Sequence, residues 1–351
     1  MRNPDNQPLT ILTGDCRELL KTLPAESVHC CITSPPYWRL RDYGHPDQIS
    51  QEATPEEYVE TLRVVFAEVR RVLRSDGTLW LNLGDSYASA WPCQRRNRMG
   101  NGSLPNSRRE ARPPRLGPGL KDKDLVGIPW LVALALWQDG WYLRSDIIWH
   151  KPNAIPESAT DRPTRAHEYL FLLSKSKRYH YDAAAIREPP SLTFLNEIES
   201  GYNRGSTKDF AGGLAQDAST TKRRIIEGYR KRIDKQRGHS RCDADLERRW
   251  DRLSEAEQRL CGCNKRSVWT VATAGYRGAH FATYPPALIK PCVLAGCPPG
   301  GVVLDPFAGS GTTGAVALEL GRRVVLMELN PEYVELIRER CTTTSPLAFA
   351  A

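Results

Sequence analysis

Two short segments carry residue types and spacings that could do chemistry, and the first is a glycine-rich turn near the C-terminus. Asp305-Pro306-Phe307-Ala308-Gly309-Ser310-Gly311-Thr312-Thr313 lies between a strand-like run and a helix-like run. Glycines at such a turn let the backbone approach a ligand closely, and the following helix N-terminus offers free N–H groups. Glu328 ends the next predicted strand, 19 positions after Gly309, where its carboxylate can accept hydrogen bonds from ribose hydroxyls. This order of elements predicts a nucleoside cofactor.

The glycines alone leave the kind of nucleoside open. The G-K-[ST] lysine that holds the outer phosphates in a P-loop is missing, so a nucleoside triphosphate is not expected. Gly309, Gly311 and Gly314 also fit the G-x-G-x-x-G spacing of dinucleotide sites. NAD therefore stays open at this point.

The second segment, Ser34-Pro35-Pro36-Tyr37, ends the strand-like run Val28 to Ile32 and is followed by Trp38. Two prolines stiffen a loop and keep a carbonyl out of a strand ladder. The Ser34 hydroxyl and the Pro35 carbonyl can accept from an exocyclic amine, while Tyr37 stacks on the ring that carries the amine. By itself the tetrapeptide is more often only a tight strand-to-loop turn.

Taken together, Thr33 to Trp38 and Asp305 to Gly311 resemble the catalytic and cofactor motifs of the exocyclic-amino DNA methyltransferases. Their order resembles the β class, in which the catalytic motif comes first, the target-recognition region follows, and the cofactor motif comes last. The resemblance covers roughly residues 9 to 90, 125 to 182 and 267 to 340. It implies S-adenosylmethionine as the cofactor, a nucleotide flipped from double-stranded DNA, and direct methyl transfer to the amine nitrogen.

The resemblance also implies roles for individual residues. Ser34 and Pro35 would orient the amine lone pair, Asp15 would meet the adenine end of the cofactor, and Glu328 would hold the ribose. The implied catalytic residues are Ser34, Pro35, Pro36 and Tyr37. The implied cofactor-binding residues are Asp15, His280, Asp305, Phe307, Gly309, Ser310, Gly311, Thr312 and Glu328. Lys151, in a Lys-Pro-Asn segment, would flank the target base.

The choice of base turns on Ser34. Adenine-specific members of the resembled family usually carry Asp at this position, and the cytosine-N4 enzymes usually carry Ser. The sequence therefore favours cytosine-N4 methylation, with adenine-N6 methylation as the alternative.

Two basic segments, residues 91–123 and 221–241, indicate a polyanionic partner. Each contains nine basic and two acidic residues, whereas the whole chain has a net charge of +8, so the remainder is acidic. Double-stranded DNA is the expected partner, although RNA would satisfy the same charges and either segment could be a solvated loop. The predicted DNA-contacting residues are Lys151, Lys222, Arg223, Arg224, Arg230, Lys231 and Arg232. A non-catalytic nucleic-acid-binding protein is a further alternative, disfavoured because both motifs are intact.

Cysteines offer two other interpretations. Pro92-Cys93-Gln94 resembles the thiolate motif of cytosine-C5 methyltransferases, but it lies in a basic segment and not at the end of a core strand. His239, Cys242, Cys261 and Cys263 could hold a structural zinc, yet reduced bystander cysteines are commoner at this spacing, so no metal is predicted.

The elements around these motifs predict an α/β fold, a doubly wound, mostly parallel, Rossmann-like sheet with an inserted target-recognition domain. Residues 1–182 would form the N-terminal part of the core, 183–266 the target-recognition domain, 267–340 the cofactor-binding part of the core, and 341–351 a loose tail. Predicted strands are Leu9–Leu12, Val28–Ile32, Thr78–Leu83, Leu143–Trp149, Tyr169–Leu173, Tyr179–Tyr181, Val302–Leu304 and Val324–Met327. Predicted helices are Pro55–Arg74, Ile128–Gln138, Pro285–Gly296, a segment ending at Leu320, and Pro331–Arg340.

The amino-acid composition limits the class of protein. The 351 residues are 40% hydrophobic and 26% charged, and no apolar run reaches the length of a membrane span. Met1 to Thr10 lacks the pattern of a signal peptide, so a cytoplasmic location is expected. Ten cysteines are too few for a disulfide scaffold. A restriction endonuclease is a conceivable functional companion, and no pattern indicates the oligomeric state.

Overall fold

The computed structural model describes residues 7–43, 45–88, 119–188, 264–273 and 284–344. The strands in these ranges are β1 (Leu9–Thr13), β2 (Val28–Thr33), β3 (Leu73–Leu83), β4 (Tyr142–His150), β5 (His167–Ser174), β6 (Val268–Thr270), β7 (Val302–Asp305) and β8 (Arg323–Glu328). The helices are α1 (Cys16–Thr22), α2 (Pro55–Val72), α3 (Ile128–Gln138), α4 (Pro286–Gly296), α5 (Thr312–Glu319) and α6 (Pro331–Thr344). No helix in the described ranges is long and apolar enough to cross a bilayer.

The strands form one sheet in the order β1-β8-β7-β2-β3-β5-β4-β6. Every neighbouring pair is parallel except those of β5, which runs antiparallel to both β3 and β4. From β1 through β2 to β3 the chain moves across the sheet in one direction, whereas from β7 to β8 it moves in the other. Right-handed crossovers then place α1 and α2 on one face and α5 on the other. The predicted doubly wound, mostly parallel α/β sheet is confirmed.

Local sequence explains the firmest elements. Thr54 caps α2 through a hydrogen bond to the Glu57 backbone, and the Glu57 side chain returns one to Thr54, with Pro55 in the first turn. This capping box satisfies two N–H groups that would otherwise be unpaired at the start of the helix. The buried face of α2 carries Tyr58, Leu62, Val65, Phe66 and Val69.

Three sequence predictions of local structure were wrong. Ser75 to Gly77, left between the predicted helix Pro55–Arg74 and the predicted strand Thr78–Leu83, belongs to β3. The register advances from Leu73 to Thr78 while β2 advances only from Val28 to Cys30, so the extra residues form a bulge. Tyr179 to Tyr181 is not a strand; the Tyr181 ring instead stacks near Trp80, with centroids 6.4 Å apart. Helix α1 was not predicted, because its seven residues are too few to show a clear period.

The predicted start of a loose tail at residue 341 was also wrong. Helix α6 continues to Thr344, and Cys341 is only 1% exposed. Cys341 packs where α6 crosses α5, so closely that a Cβ on Gly314 would lie 2.9 Å from its sulfur. Burial of the thiol raises the pKa of Cys341 to about 11. Residues 345–351 lie outside the described ranges.

The chain divides into two compact units, Met1–Ala185 with Ser267–Ala351, and Ile186–Arg266. The first unit contains the sheet and both sequence motifs. Most of the second unit lies outside the described residues, so the target-recognition role of residues 183–266 stays a prediction.

Candidate active site

The two motifs meet at the carboxyl edge of the sheet, where the strand order changes direction between β7 and β2. Parallel neighbours bring the ends of β1, β8, β7 and β2 to one cleft, the usual ligand position in open α/β sheets. Of the predicted site residues, those that line the cleft are Asp15, Ser34, Pro36, Phe307, Gly309, Ser310, Thr312 and Glu328. Their individual roles stay predictions, but the structure places them at one site.

Asp305 does not line this cleft, contrary to its predicted contact with the cofactor. Its side chain has no exposed surface and accepts hydrogen bonds from Thr33 Oγ1 at 2.6 Å and Thr313 Oγ1 at 2.6 Å. The Tyr284 hydroxyl at 3.0 Å and the Phe307 backbone N–H at 3.1 Å also donate to it. Burial raises the pKa of Asp305, although these donors oppose the shift. Asp305 therefore ties the glycine-rich turn Asp305 to Thr313, called the cofactor turn below, to β2. The last residue of β2 directly precedes Ser34.

Gly311, like Asp305, supports the fold and is not among the residues that line the cleft. It caps α5 in a left-handed conformation with φ of 78°, which glycine adopts without steric cost. A Cβ there would also lie 3.2 Å from Ile337 Cα, so α6 packs directly on it. Gly309, by contrast, lines the cleft and offers its backbone to a ligand.

Glu328 lies at the end of β8 and lines the cleft as predicted. Its Oε2 accepts from the Gly309 N–H at 2.7 Å and its Oε1 accepts from the Asn330 N–H at 2.9 Å. Burial raises the pKa of Glu328 to about 7, despite these two donors. The carboxylate therefore holds both cleft-lining loops and remains poised to accept from hydroxyl groups.

Asp15 reaches the cleft from the end of β1, where it caps α1. Its Oδ1 accepts from the Arg17 backbone N–H at 2.8 Å, and its carboxylate pairs with the Arg17 guanidinium at 2.5 Å. Burial opposes ionisation of Asp15, but the Arg17 hydrogen bonds outweigh it and lower the pKa. Asp15 is an anion at the cleft, and the Asp15 cap was the signal that could have identified α1.

The Ser34 to Tyr37 loop is held from several sides. Tyr58, on the buried face of α2, donates its hydroxyl to the Pro36 carbonyl at 2.8 Å. Pro35 is buried, and Ser34 and Pro36 face the cleft. The Tyr37 ring packs on Gly84, where a Cβ would lie 2.4 Å from Tyr37 Cε2. The two prolines and this packing fix the loop, while stacking of Tyr37 on a base stays a prediction.

Sequence reasoning missed a polar cluster behind Tyr37. Its hydroxyl lies 2.7 Å from Glu168 Oε2 and 3.1 Å from Asn82 Oδ1, and Ser34 Oγ lies 3.3 Å from the same hydroxyl. Burial first, and the Glu168 charge second, raise the pKa of Tyr37 well above its usual value. Glu168 reaches this edge because β5 is antiparallel, so its first residues lie beside the last residues of β3.

Lys151 lies in the cluster behind Tyr37, and its predicted contact with DNA stays a prediction. Its ammonium forms an ion pair with Glu168, and the two side chains are only 19% and 16% exposed. The same ammonium lies 4.3 Å from the Trp149 ring centroid. Lys151 therefore balances the charge of Glu168 in the cluster behind Tyr37.

Other predicted residues cannot be placed. His280, Cys93, most of the first basic segment and all of the second lie outside the described ranges, as do the four zinc candidates. Within the described ranges, no group of three or more His, Cys, Asp or Glu side chains could hold a metal ion.

The charge of the residues that line the cleft limits which cofactors it can bind. Among its described lining residues are Asp15, Asp47 and Glu328, with His45 beside them, but no lysine or arginine. A dinucleotide would bring two phosphate charges next to these carboxylates, which is unfavourable. Arg17 pairs with Asp15, but the cleft as a whole still suits a nucleoside that carries positive charge better than it suits NAD.

Comparisons with known proteins agree with this chemistry. The chain is 42% identical over 335 residues to the type II methyltransferase M.Cfr9I of Citrobacter freundii, across 94% of this chain and 87% of that protein. It is 42% identical over 330 residues to the type II methyltransferase M.SmaI of Serratia marcescens, across 94% and 89% of the two chains.

Solved structures show the same fold. The PvuII DNA methyltransferase, described as cytosine-N4-specific, aligns with a TM-score of 0.54 at 17% identity, over 95% of this chain and 88% of that one. TTHA0409 of Thermus thermophilus, solved in complex with S-adenosyl-L-methionine, aligns with a TM-score of 0.51 at 22% identity, over 96% of this chain and 94% of that one. The family model of the N6/N4 DNA methylases matches residues 28–339. The chain therefore belongs to the N6/N4 family of DNA methyltransferases.

Proposed function

We propose that this DNA methyltransferase transfers a methyl group from S-adenosylmethionine to the exocyclic N4 of cytosine in double-stranded DNA. One observation carries the proposal. The Ser34 loop and the cofactor turn share a cleft and are joined through the Thr33–Asp305 hydrogen bond of 2.6 Å. A methyl donor and an amine acceptor bound to these two loops would be held in contact, which is the main requirement of a direct displacement.

The cleft fits the cofactor. S-adenosylmethionine supplies an electrophilic methyl group on a positively charged sulfur, which a cleft lined by carboxylates favours. Glu328 would accept from the ribose hydroxyls, Phe307 and the Gly309 backbone would line the methionine side, and Asp15 would lie toward the adenine. Asp305, being buried, would position this turn without touching the cofactor.

The chain's own residues act by holding the amine. Ser34 Oγ, together with the Pro35 carbonyl, would accept the amine hydrogens and turn the nitrogen lone pair toward the methyl carbon. As the N–C bond forms, the S–C bond breaks and its electron pair stays on sulfur, and one amine proton is then released to water. No enzyme nucleophile is needed, which agrees with a catalytic motif that contains no cysteine.

Support for cytosine comes from Ser34, the position at which adenine-specific enzymes of this family usually carry Asp. A hydroxyl there matches the cytosine-N4 pattern. Adenine-N6 methylation is the second candidate, since the cleft and the direct displacement would serve either amine.

Duplex DNA is the proposed partner, with the two basic segments contacting backbone phosphates. Because the similar proteins are named as type II methyltransferases, a restriction endonuclease with the same recognition sequence is the proposed functional companion. Residues 183–266 are proposed to read that sequence.

The direct test is to incubate the purified protein with unmodified bacterial duplex DNA and S-adenosylmethionine, digest the DNA, and identify methylated nucleosides by mass spectrometry. We expect N4-methylcytosine, and we expect Ser34→Ala to lose the product while still binding the cofactor. N6-methyladenine would overturn the base assignment alone. If structured RNA were methylated and DNA were not, the proposed substrate would be wrong.

A further inference from the structure

A chain of hydrogen bonds leads from the cleft to a partly buried ion pair and is not explained by substrate or cofactor binding. It runs from Ser34 Oγ to the Tyr37 hydroxyl at 3.3 Å, from that hydroxyl to Glu168 Oε2 at 2.7 Å, and from Glu168 Oε1 to the Lys151 ammonium. The question is which atom donates at each link, because the answer fixes what Ser34 can offer to a ligand.

The polarity is set at the Glu168 end. A carboxylate paired with an ammonium has only acceptor capacity, so the Tyr37 hydroxyl must donate to it. Asn82 cannot reverse this, because its Nδ2 group already donates to Glu168 Oε2 at 3.2 Å and to the Tyr169 carbonyl at 3.0 Å. The Asn82 atom that faces Tyr37 is therefore its acceptor oxygen, at 3.1 Å.

Tyr37 has a single hydroxyl proton, and its burial beside Glu168 keeps that proton in place. Since the proton is directed at Glu168 and Asn82, the Tyr37 oxygen can only accept from Ser34. The Ser34 hydroxyl proton is then committed to Tyr37, and the Oγ lone pairs are left for the cleft that Ser34 lines.

We infer that Glu168 is a positioning residue that acts through Tyr37 to make the Ser34 hydroxyl an obligate hydrogen-bond acceptor for the substrate amine. This inference rests on the proposed function. An unconstrained serine hydroxyl can turn to donate, and it would then meet the amine hydrogens with its own hydrogen. A serine with its proton committed presents only lone pairs, so the amine is bound with its own lone pair pointing elsewhere, toward the cofactor. Lys151 balances the charge of Glu168 and so permits a carboxylate at this depth.

The test uses Tyr37→Phe, Glu168→Gln and the double variant. Tyr37→Phe keeps the ring and the Lys151–Glu168 pair but breaks the link. Glu168→Gln keeps the shape and removes the obligate acceptor. We expect each single variant to lower kcat by on the order of 10- to 100-fold, as outer partners of reactive groups commonly do. The KM for DNA should change less than about twofold, since Tyr37→Phe keeps the ring that would stack on the base. The Kd for S-adenosylmethionine should change equally little, since neither residue lines the cofactor cleft.

Non-additivity is the decisive result. Because Glu168 acts only through the Tyr37 hydroxyl, the double variant should be no slower than Tyr37→Phe alone. Losses that multiply, single variants as active as the wild type, or a matching rise in KM would each overturn the inference. Tyr58→Phe is the matched control. It removes a tyrosine hydroxyl that bonds to the same loop at the Pro36 carbonyl, and that hydroxyl has no bond to Ser34. An equal loss of kcat in that variant would point to general loosening and would also overturn the inference.

Two measurements keep the outcomes separate. Glu168→Gln could unfold the protein because Lys151 loses its partner. In that case the combined variant Lys151→Met with Glu168→Gln, which removes both charges, takes the place of Glu168→Gln in the comparison of single and double variants. If the wild-type protein methylates neither DNA base, the proposed function fails. If the wild type is active and the cycle is additive, only the role of Glu168 fails.

Discussion

We expect Glu328 to make cofactor binding depend on pH in a range where few carboxyl groups titrate. Burial raises its pKa to about 7, and its two oxygens already accept backbone N–H groups from the loops on either side. Ribose hydroxyls need both oxygens as acceptors, and the positive charge of S-adenosylmethionine also favours the anion. Protonation turns one oxygen into a donor and removes the negative charge. We therefore expect the cofactor to bind the ionised form, so that its affinity falls as the pH falls through 7.

The size of the effect follows from the pKa. If only the ionised form binds, the apparent Kd scales with the inverse of the ionised fraction. Between pH 7.5 and pH 6.0, a group with a pKa of about 7 loses most of that fraction, and the apparent Kd should rise about eightfold. Binding should also release a proton, because a bound cation lowers the pKa of Glu328.

Calorimetry of S-adenosylmethionine binding at pH 6.0, 6.8 and 7.5, in buffers with different ionisation enthalpies, measures both quantities. Glu328→Gln is the control, because it keeps the shape of the side chain and cannot titrate. It should bind more weakly at pH 7.5 and show a flatter profile. Any other group that changes its protonation also does so in the variant, so the difference between the two profiles belongs to Glu328. A wild-type profile as flat as that of the variant would refute the reasoning.

Three further predictions concern packing and DNA binding. Gly84→Ala should lower the free energy of unfolding by about 1–3 kcal/mol and reduce methylation, because the new Cβ overlaps the Tyr37 ring; chemical denaturation and nucleoside analysis would show this. Asp305→Asn should cost about 2–3 kcal/mol of stability, because an amide nitrogen would face donors that now have an acceptor, and thermal unfolding would measure it. Replacing three basic residues of segment 221–241 by alanine should weaken DNA binding. The slope of log affinity against log salt concentration should become shallower by about 0.9 for each phosphate that is no longer neutralised, as a titration at several salt concentrations would show.

Much of the fold was predictable because local signals agreed with the tertiary structure. The capping box at Thr54 and the apolar run of α3 predicted both helix starts, and the glycine turn lies between a strand and a helix as expected. Where local and tertiary signals conflicted, the prediction failed. Ser75 to Gly77 have turn chemistry, yet pairing of the flanking Leu73 and Thr78 with β2 draws them into β3 as a bulge.

The site was predictable only where residues follow strands in sequence. Ser34, Gly309 and Glu328 lie at or just after the ends of strands, so a parallel sheet brings them together. Glu168 lies at the start of its strand, and only the antiparallel course of β5 brings it to the same edge, which no local pattern indicates. Asp305 lies in the right segment, but two of the hydrogen bonds that bury it come from Thr33 and Tyr284, at distant positions in the chain. The sequence therefore predicted a ligand contact for Asp305 and could not show that its side chain is a buried structural link.

The cluster behind Tyr37 also bears on why position 34 carries a serine. A carboxylate at that position would face the Tyr37 oxygen, whose proton is already directed at Glu168 at 2.7 Å. The new carboxylate and Glu168 would then compete for the single Tyr37 proton. The cleft edge would also carry two negative charges, whereas Lys151 supplies only one positive charge there. A hydroxyl avoids this conflict because it supplies the missing donor to Tyr37 and still presents lone pairs to the cleft. Under the inference above, Ser34 and Glu168 are matched to each other, and the negative charge proposed to assist the amine lies two hydrogen bonds behind the serine.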